Sequence, residues 1–351
     1  MEINVKDIQN VVNLNGVVAG YKIERKQAKM AWDDERNGKK KGDPVTQYNG
    51  YITVQTAENQ FATVNVRFRN ENFFDGQPDF TTQALEAMAN EEVDTFFKTR
   101  DLTKTPTISL YRGVKIVDNY YVSNGDLHES LQVELGFGSI SLREPQEEPK
   151  LLNSFVLNGV VDDIQPEIKN DEETGRAVVK VIVPYTYGGK DNQVIRAMTI
   201  NMVAGECEDE EGQYDLGAML LDAADDVIGY SWQLVGELNG YYLEQEKPQE
   251  DGPRRGFGKR IPTQTNRQRI SEYLLTGLDI LRDGDAFTEE DIIEARQARD
   301  AHIAELHKRD EEKQGQAPVP TGRGSFASSR TTRTEEAPAA PSGRTRTRNF
   351  R

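Results

Sequence analysis

Asn10-Val-Val-Asn-Leu-Asn-Gly-Val-Val18 and Asn153-Ser-Phe-Val-Leu-Asn-Gly-Val-Val161 share the string Leu-Asn-Gly-Val-Val and the frame Asn-x-apolar-x-Leu-x-Gly. Two strands of one kind therefore open far apart in the chain. Working outward, Val117-Asp-Asn-Tyr-Tyr-Val122 echoes Leu238-Asn-Gly-Tyr-Tyr-Leu243, and Gly136-Phe137-Gly138 echoes Gly256-Phe257-Gly258. Landmarks repeated in a fixed order indicate two copies of one domain rather than a short-period solenoid.

The 351 residues suit two such copies and a smaller appendage. A single cysteine, Cys207, excludes an internal disulfide framework and a Cys-rich zinc site, and a cytoplasmic setting is expected, that of a host if the source is viral. No apolar run approaches the roughly 20 residues that span a bilayer, and the polar start is not a signal peptide, so no membrane partner is expected. The net charge of −16 argues against a polyanionic partner on average, but its distribution does not. Basic clusters lie at Lys22, Arg25, Lys26 and Lys29, at Lys39 to Lys41, and at Arg254 and Arg255. Beyond residue 314, seven arginines face only Glu335 and Glu336.

In the first copy, β patterning covers 11–21, 48–56 and 61–69, with a long polar loop over 24–47. Helical composition over 82–98 precedes further strands at 107–122 and 131–142. The second copy repeats the order with strands at 155–161, 177–187 and 193–203, a short helix at 216–224, and strands over 230–243. The order β-β-β-α-β-β predicts a mainly β fold of two tandem five-stranded barrels of the oligonucleotide-binding (OB) type, each with one helix. The expected domains are 1–148 and 149–262, with Pro145 and Pro149 in the linker, then a helical appendage over 263–313 and a disordered Arg-rich tail over 314–351. Within the appendage, one helix is expected at 265–281 and a second from Thr288, capped with Asp291 and solvated along its length.

The chain shows no nucleophile with a base, no metal cluster and no phosphate-cradling loop at recognisable spacing, so neither an enzyme nor a cofactor is expected. His302 and His307 fall on different helix faces, and the acidic run 206–211 lacks the spaced ligands of a calcium loop. A binding reading fares better, because the strands interleave aromatic and basic residues. Arg67 and Arg69 flank Phe68 and by strand alternation face away from it. Tyr48, Tyr51, Tyr111 with Arg112, Tyr121, Tyr185, Tyr187, Trp232 and Tyr242 supply rings on which bases could stack, while Lys180 and Arg196 add charge in the second copy.

The two Asn-x-x-x-Leu-x-Gly openings and the strand order resemble the bacterial and phage single-stranded DNA-binding protein family over about residues 8–262. That resemblance implies non-catalytic binding of single-stranded DNA, protection of exposed strands in replication or recombination, and recruitment of proteins of those processes. This chain departs from the family in joining two barrels and in its basic end, Arg344-Thr-Arg-Thr-Arg-Asn-Phe-Arg351, which suggests a viral or mobile-element member. The alternatives are a phage tail or capsid protein built from duplicated barrels and, more remotely, a carboxylate-dependent nuclease. Both barrels are expected to bind one strand, with Arg67, Arg69, Lys180 and Arg196 on its phosphates. Oligomeric state and the choice of DNA over RNA are not legible.

Overall fold

The computed structural model describes residues 8–31, 33–34, 38–136, 138–187, 194–209, 212–245, 266–281 and 286–315, and its fold is mainly β. The first copy comprises β1 (Asn10–Lys29), β2 (Pro44–Ala57), β3 (Gln60–Asn70), a small hairpin of β4 (Phe73–Phe74) and β5 (Gln77–Pro78), and helices α1 (Phe80–Ala89) and α2 (Phe96–Thr99). It continues with β6 (Thr107–Tyr111), β7 (Val114–Ser123), β8 (Asp126–Leu135) and β9 (Ser139–Arg143). Antiparallel β1, β2 and β3 form a meander, β8 runs parallel to β3, and β6 returns to β1. β6 with β7 makes the fourth strand and β8 with β9 the fifth, paired to each other, so the barrel closes. Arg112 and Gly113, both at positive φ (55° and 100°), break the fourth strand between its halves.

The second copy comprises β10 (Leu152–Lys169), β11 (Glu172–Tyr187), β12 (Val194–Ala204), a hairpin of β13 (Glu206–Asp209) and β14 (Gly212–Asp215), and helices α3 (Leu216–Asp222) and α4 (Ala224–Val227). β15 (Ser231–Gln245) and β16 (Asn266–Ile280) complete it, and α5 (Glu289–Gly315) follows. Its pairing is the same: β10 with β11 and β15, β11 with β12, β12 parallel to β16, and β16 with β15. Both barrels are of OB type.

Strand alternation places Val64 and Val66, Ile116 and Leu14 inside the first barrel and Val179, Val181, Met202 and Phe155 inside the second. In each copy an aspartate caps the helix after the third strand. Asp79 accepts from Thr82 N at 2.7 Å, and Asp215 from Ala218 N at 3.1 Å. Leu85 and Met88, and likewise Leu216 and Leu220, are thereby turned into the core.

The duplicated string has two physical duties. Its glycine lets strands approach closely: a Cβ on Gly16 would lie 2.1 Å from Gln55 O, and one on Gly159 would lie 2.8 Å from Ile182 O. Its first asparagine clamps the fourth strand. Asn10 donates to Ile116 O and accepts from Ile116 N at 2.7 and 2.9 Å, while Asn153 does the same to Leu238 at 2.7 and 3.1 Å. The two strings also pair with each other, antiparallel, with Asn10 opposite Leu157 and Leu14 opposite Asn153. That self-matching register is what a local two-fold relation between the barrels requires.

Several expectations are corrected. Residues 265–281 were expected to be helical, but β16 is the missing fifth strand, so the second barrel runs past residue 262. Between Val235 and Gly236 the register slips, with Gly277 and then Leu275 as partners, and the extra residue gives Leu274, Leu275 and Leu278 a helix-like spacing. The polar loop is shorter than 24–47, because β1 continues to Lys29 and β2 begins at Pro44. The expected 82–98 helix stops at Ala89, and Glu91 at φ 61° separates it from α2. The asparagine clamps make Ile116, not Val117, the counterpart of Leu238, so the tyrosine-pair echo is out of register by one. Gly136 and Gly138 fall within the fifth strand of the first barrel, whereas 256–258 lie outside the described residues and precede β16 in the chain, so these stretches are not counterparts. The expected tail lies outside the described residues from 316 onward.

Helix α5 opens with the expected Thr288–Asp291 box, Asp291 N donating to Thr288 Oγ1 at 3.2 Å and Thr288 N to Asp291 Oδ2 at 2.9 Å. It is docked rather than solvated: Ile292 and Ala295 are buried on Ile182 and Ala197 of β11 and β12. Among the described residues no helix is long and apolar enough to cross a membrane.

Candidate nucleic-acid interface

The first strands bulge at the same place in the repeat, between Val18 and Gly20 and between Val161 and Asp163, so outer-face positions of the two barrels can be matched one by one. In the first barrel, cross-strand pairing sets Lys22 beside Tyr51, Tyr51 beside Asn65, Asn65 beside Glu134, and Glu134 beside Lys115. The same row in the second barrel reads Gln165, Val178, Val203, Leu274 and Glu237. The first row therefore has a lysine at each end and an exposed ring between, and the second has neither. Burial pushes the Glu134 carboxyl up, against the pull of Arg67 and Lys115.

The first barrel carries further exposed groups suited to a strand of bases and phosphates. Phe68, at φ 48° and 72% exposed, stands out where β2 and β3 slip register, its N–H donating to Asn49 Oδ1 at 2.7 Å. Phe74 and Phe80 are 75% and 80% exposed. The loop joining β1 to β2 folds toward the same end, with Lys39 Nζ 2.6 Å from Glu71 and 5.7 Å above the Phe73 ring, and Lys40 and Lys41 exposed beside it.

The structure sorts the sequence-derived residues by exposure. Lys22, Arg25, Lys26 and Tyr51 are exposed on the first barrel, with loose ion pairs from Lys22 and Lys26 to Glu24 and from Arg25 to Glu86. Arg67 is half-buried, donating to Asn119 Oδ1 at 3.0 Å and to Gln132, and Arg69 donates to Gly136 O at 3.0 Å while burial lowers its pKa. Arg67 and Arg69 are thus held against the barrel while Phe68 stands in solvent, the reverse of a basic face opposed to an apolar one. At the barrel's edge Arg112 sits 5.8 Å over the Tyr111 ring, and Tyr121 stacks on His128 at 4.6 Å.

Four residues depart from the expected exposure. Tyr48 and Tyr185 are core residues, on the inward parity of β2 with Ile52 and Val54 and of β11 with Val181 and Val183. Arg196 is buried, and Trp232 packs on the second core with its indole N–H donating to Val227 O at 3.0 Å. None of these four offers a face to a stacked strand. Lys180 is exposed and pairs with Asp162 at 2.7 Å. The side chains of Tyr187 and Tyr242, and all of Arg254 and Arg255, lie outside the described residues.

Sequence reading missed Lys115, Asn65, Phe74 and Phe80. Phe73-Phe74-Asp75-Gly76 carried a usable signal, since an Asp-Gly turn directly after two rings leaves one of them exposed. Lys115 has no such local mark, because its hairpin partner β8 joins the row only by pairing with β3, distant in sequence.

A crystal structure of a deletion mutant of the single-stranded DNA binding protein from Thermus aquaticus is similar to this chain at 12% identity, covering 81% of this chain and 98% of that one, with a TM-score of 0.38. That score is too low for the likeness to carry an argument about fold or ligand. Comparison with curated proteins gives no match. The family model described as YorF matches residues 9–309, spanning both barrels and most of α5, and the chain belongs to the YorF family.

Proposed function

We propose that this protein binds single-stranded DNA without catalysis, through the outer face of its first barrel, and so protects exposed strands in replication or recombination. The observation that carries this reading is the Lys22–Tyr51–Asn65–Glu134–Lys115 row. In OB barrels the face of the second and third strands, with the loops at its ends, is where oligonucleotides lie. An exposed ring stacks a base for about 1 to 3 kcal/mol with little sequence preference, and flanking lysines neutralise phosphates. A duplex, with its bases stacked inward, cannot use Tyr51 in this way. The second barrel contributes less, since its matching row carries no cation and α5 covers part of the adjoining face.

Fluorescence anisotropy with labelled single-stranded and duplex oligonucleotides over a salt series tests the proposal. Single strands should bind tighter, with affinity falling as salt rises. Equal affinity for duplex, or none for either, overturns it. Incubating the strand with the protein and magnesium or manganese should leave it uncut.

A further inference from the structure

We propose that the cleft between the two barrels takes one unstacked nucleotide of the bound strand, its base beside Phe68 and its phosphate on Arg67 and Lys115. This inference rests on the reading above and adds a second station to the strand's path.

The cleft has a volume of about 330 Å³, at the lower end of the range in which pockets hold small ligands. The first barrel supplies Arg67, Phe68, Lys115 and Tyr120, the second Thr186 and Arg196, and α5 supplies His302. Its aromatic surface and its cations occur together, which is the pairing a nucleotide needs and a simple anion or an apolar peptide does not. Phe68 stands exposed at the end of β3, and the His302 ring meets Tyr120 edge-on at 6.4 Å. Two carboxyls also line the cleft, Asp118 and Glu134. Burial raises both, Asp118 to about 6 despite a hydrogen bond from Tyr185 and the nearby Arg299. Continuity supplies the last step. Lys115 belongs both to the cleft and to the outer row, so a strand over Tyr51 and Asn65 arrives at the cleft without leaving the sheet.

The helix has a specific part in this. Arg299 donates to Tyr120 Oη at 2.9 Å and to Glu129 at 2.9 Å, while Arg296 reaches Asp162 of the second barrel at 3.1 Å. One helix thus holds both walls at a fixed spacing, and a base entering the cleft finds a preformed slot.

The test uses the full chain with an oligothymidylate in which a single 2-aminopurine is walked along the strand, and separately with thymidine 5′-monophosphate observed by saturation-transfer NMR. Thr186→Trp fills the cleft without touching the outer row, and Phe68→Ala, at a site off the core, serves as the second variant. The wild type should show one position whose emission departs from its neighbours, and a mononucleotide signal. Both variants should erase that position and weaken strand binding about tenfold, the loss of roughly one stacked base. If the strand binds but all positions emit alike, or Thr186→Trp binds as the wild type does, the cleft proposal fails and the outer-face reading stands. If no strand binds but the mononucleotide signal is present and lost in Thr186→Trp, the outer-face reading falls and the cleft is a mononucleotide site, not the station on a strand's path proposed here. Absence of both signals overturns both.

Discussion

The two barrels are alike inside and unlike outside. Val64 and Met202, Ile116 and Leu238, and Ile52 and Val179 occupy matching places, all buried and all apolar, and the asparagine clamps are identical in kind. Outside, Lys22 is matched by Gln165, Tyr51 by Val178 and Lys115 by Glu237. The interior is held by close packing, in which a change of one methylene is felt, whereas the outer face is under no such constraint. The unlike rows therefore separate what the fold needs from what one copy does. Helix α5 sharpens the contrast by covering Ile182 and Ala197 on the second barrel while leaving the first barrel's row open.

The largest expected effect reverses the charge at both ends of the open row. Lys22→Glu with Lys115→Glu should weaken single-strand binding about 100-fold, and the salt slope should fall by about 1.4, or 0.7 for each phosphate that is no longer neutralised. The matched change in the other copy, Gln165→Glu, should leave affinity within about twofold. Titration of the variants by anisotropy at several salt concentrations reads both quantities. An equal loss from Gln165→Glu would erase the distinction between the barrels.

The next effect compares the duplicated glycines. A methyl on Gly16 meets a backbone oxygen at 2.1 Å, and one on Gly159 meets a backbone oxygen and a valine methyl at 2.8 Å. Gly16→Ala should cost about 2 kcal/mol and Gly159→Ala about 1 kcal/mol, within the range for overpacked sites. Urea denaturation gives the order. A larger cost at Gly159 would mean that the second barrel is the less yielding of the two.

Much of this fold is legible in the sequence, because the duplicated string performs backbone duties that only Asn and Gly can perform there. The helix before the fourth strand is legible through its helical composition and its apolar face. The fifth strand of the second copy is not, since its bulge converts a period of two into a helical spacing around Leu274 and Leu278. At the candidate site, Lys22 and Tyr51 can be read from local pattern. Tyr48 and Tyr185 mislead, because a β-rich run does not say which parity faces inward until the bulges are known. Lys115 joins the row only through β8, a long-range pairing that no local pattern announces.

A third effect tests how the barrels are joined, at Asp118. The groups around it are Tyr120 and Glu129 of the first barrel, Tyr185 and Arg196 of the second, and Arg299 and His302 of α5. Burial lifts its pKa from 3.8 to about 6, so between those pH values the folded protein holds a proton that the unfolded chain has released. The stability from that proton is complete below about pH 4 and is lost as pH rises through about 6. Asp118→Asn does not titrate. Relative to the wild type it should therefore gain up to about 1.5 kcal/mol between pH 4 and pH 7, a figure reduced from the full shift for partial solvent access. Urea midpoints at three pH values suffice, and a gap that narrows as pH rises would reverse the sign.

The smallest expected effect asks whether α5 steadies the arm of the first barrel formed by β7 and β8. Arg299 bonds Tyr120 and Glu129, its guanidinium lies 5.3 Å over the Tyr120 ring, and Asp310 accepts from Gly125 N at 3.1 Å at the hairpin tip. These are partly exposed polar contacts, so Arg299→Ala should cost the whole protein only about 0.7 kcal/mol. Its local consequence should be larger than its global one. A two-stranded arm beyond the barrel has little apolar packing of its own, and such segments open at low free energy once their tethers go. Hydrogen exchange should therefore speed up over 118–131 while the amides of Val64 and Val66 keep their protection, and the second barrel under Ile292 should be unaffected. Faster exchange throughout β11 and β12 instead would mean that Arg299 seats the helix on the second barrel, making α5 one rigid unit with that barrel rather than a tether between the two.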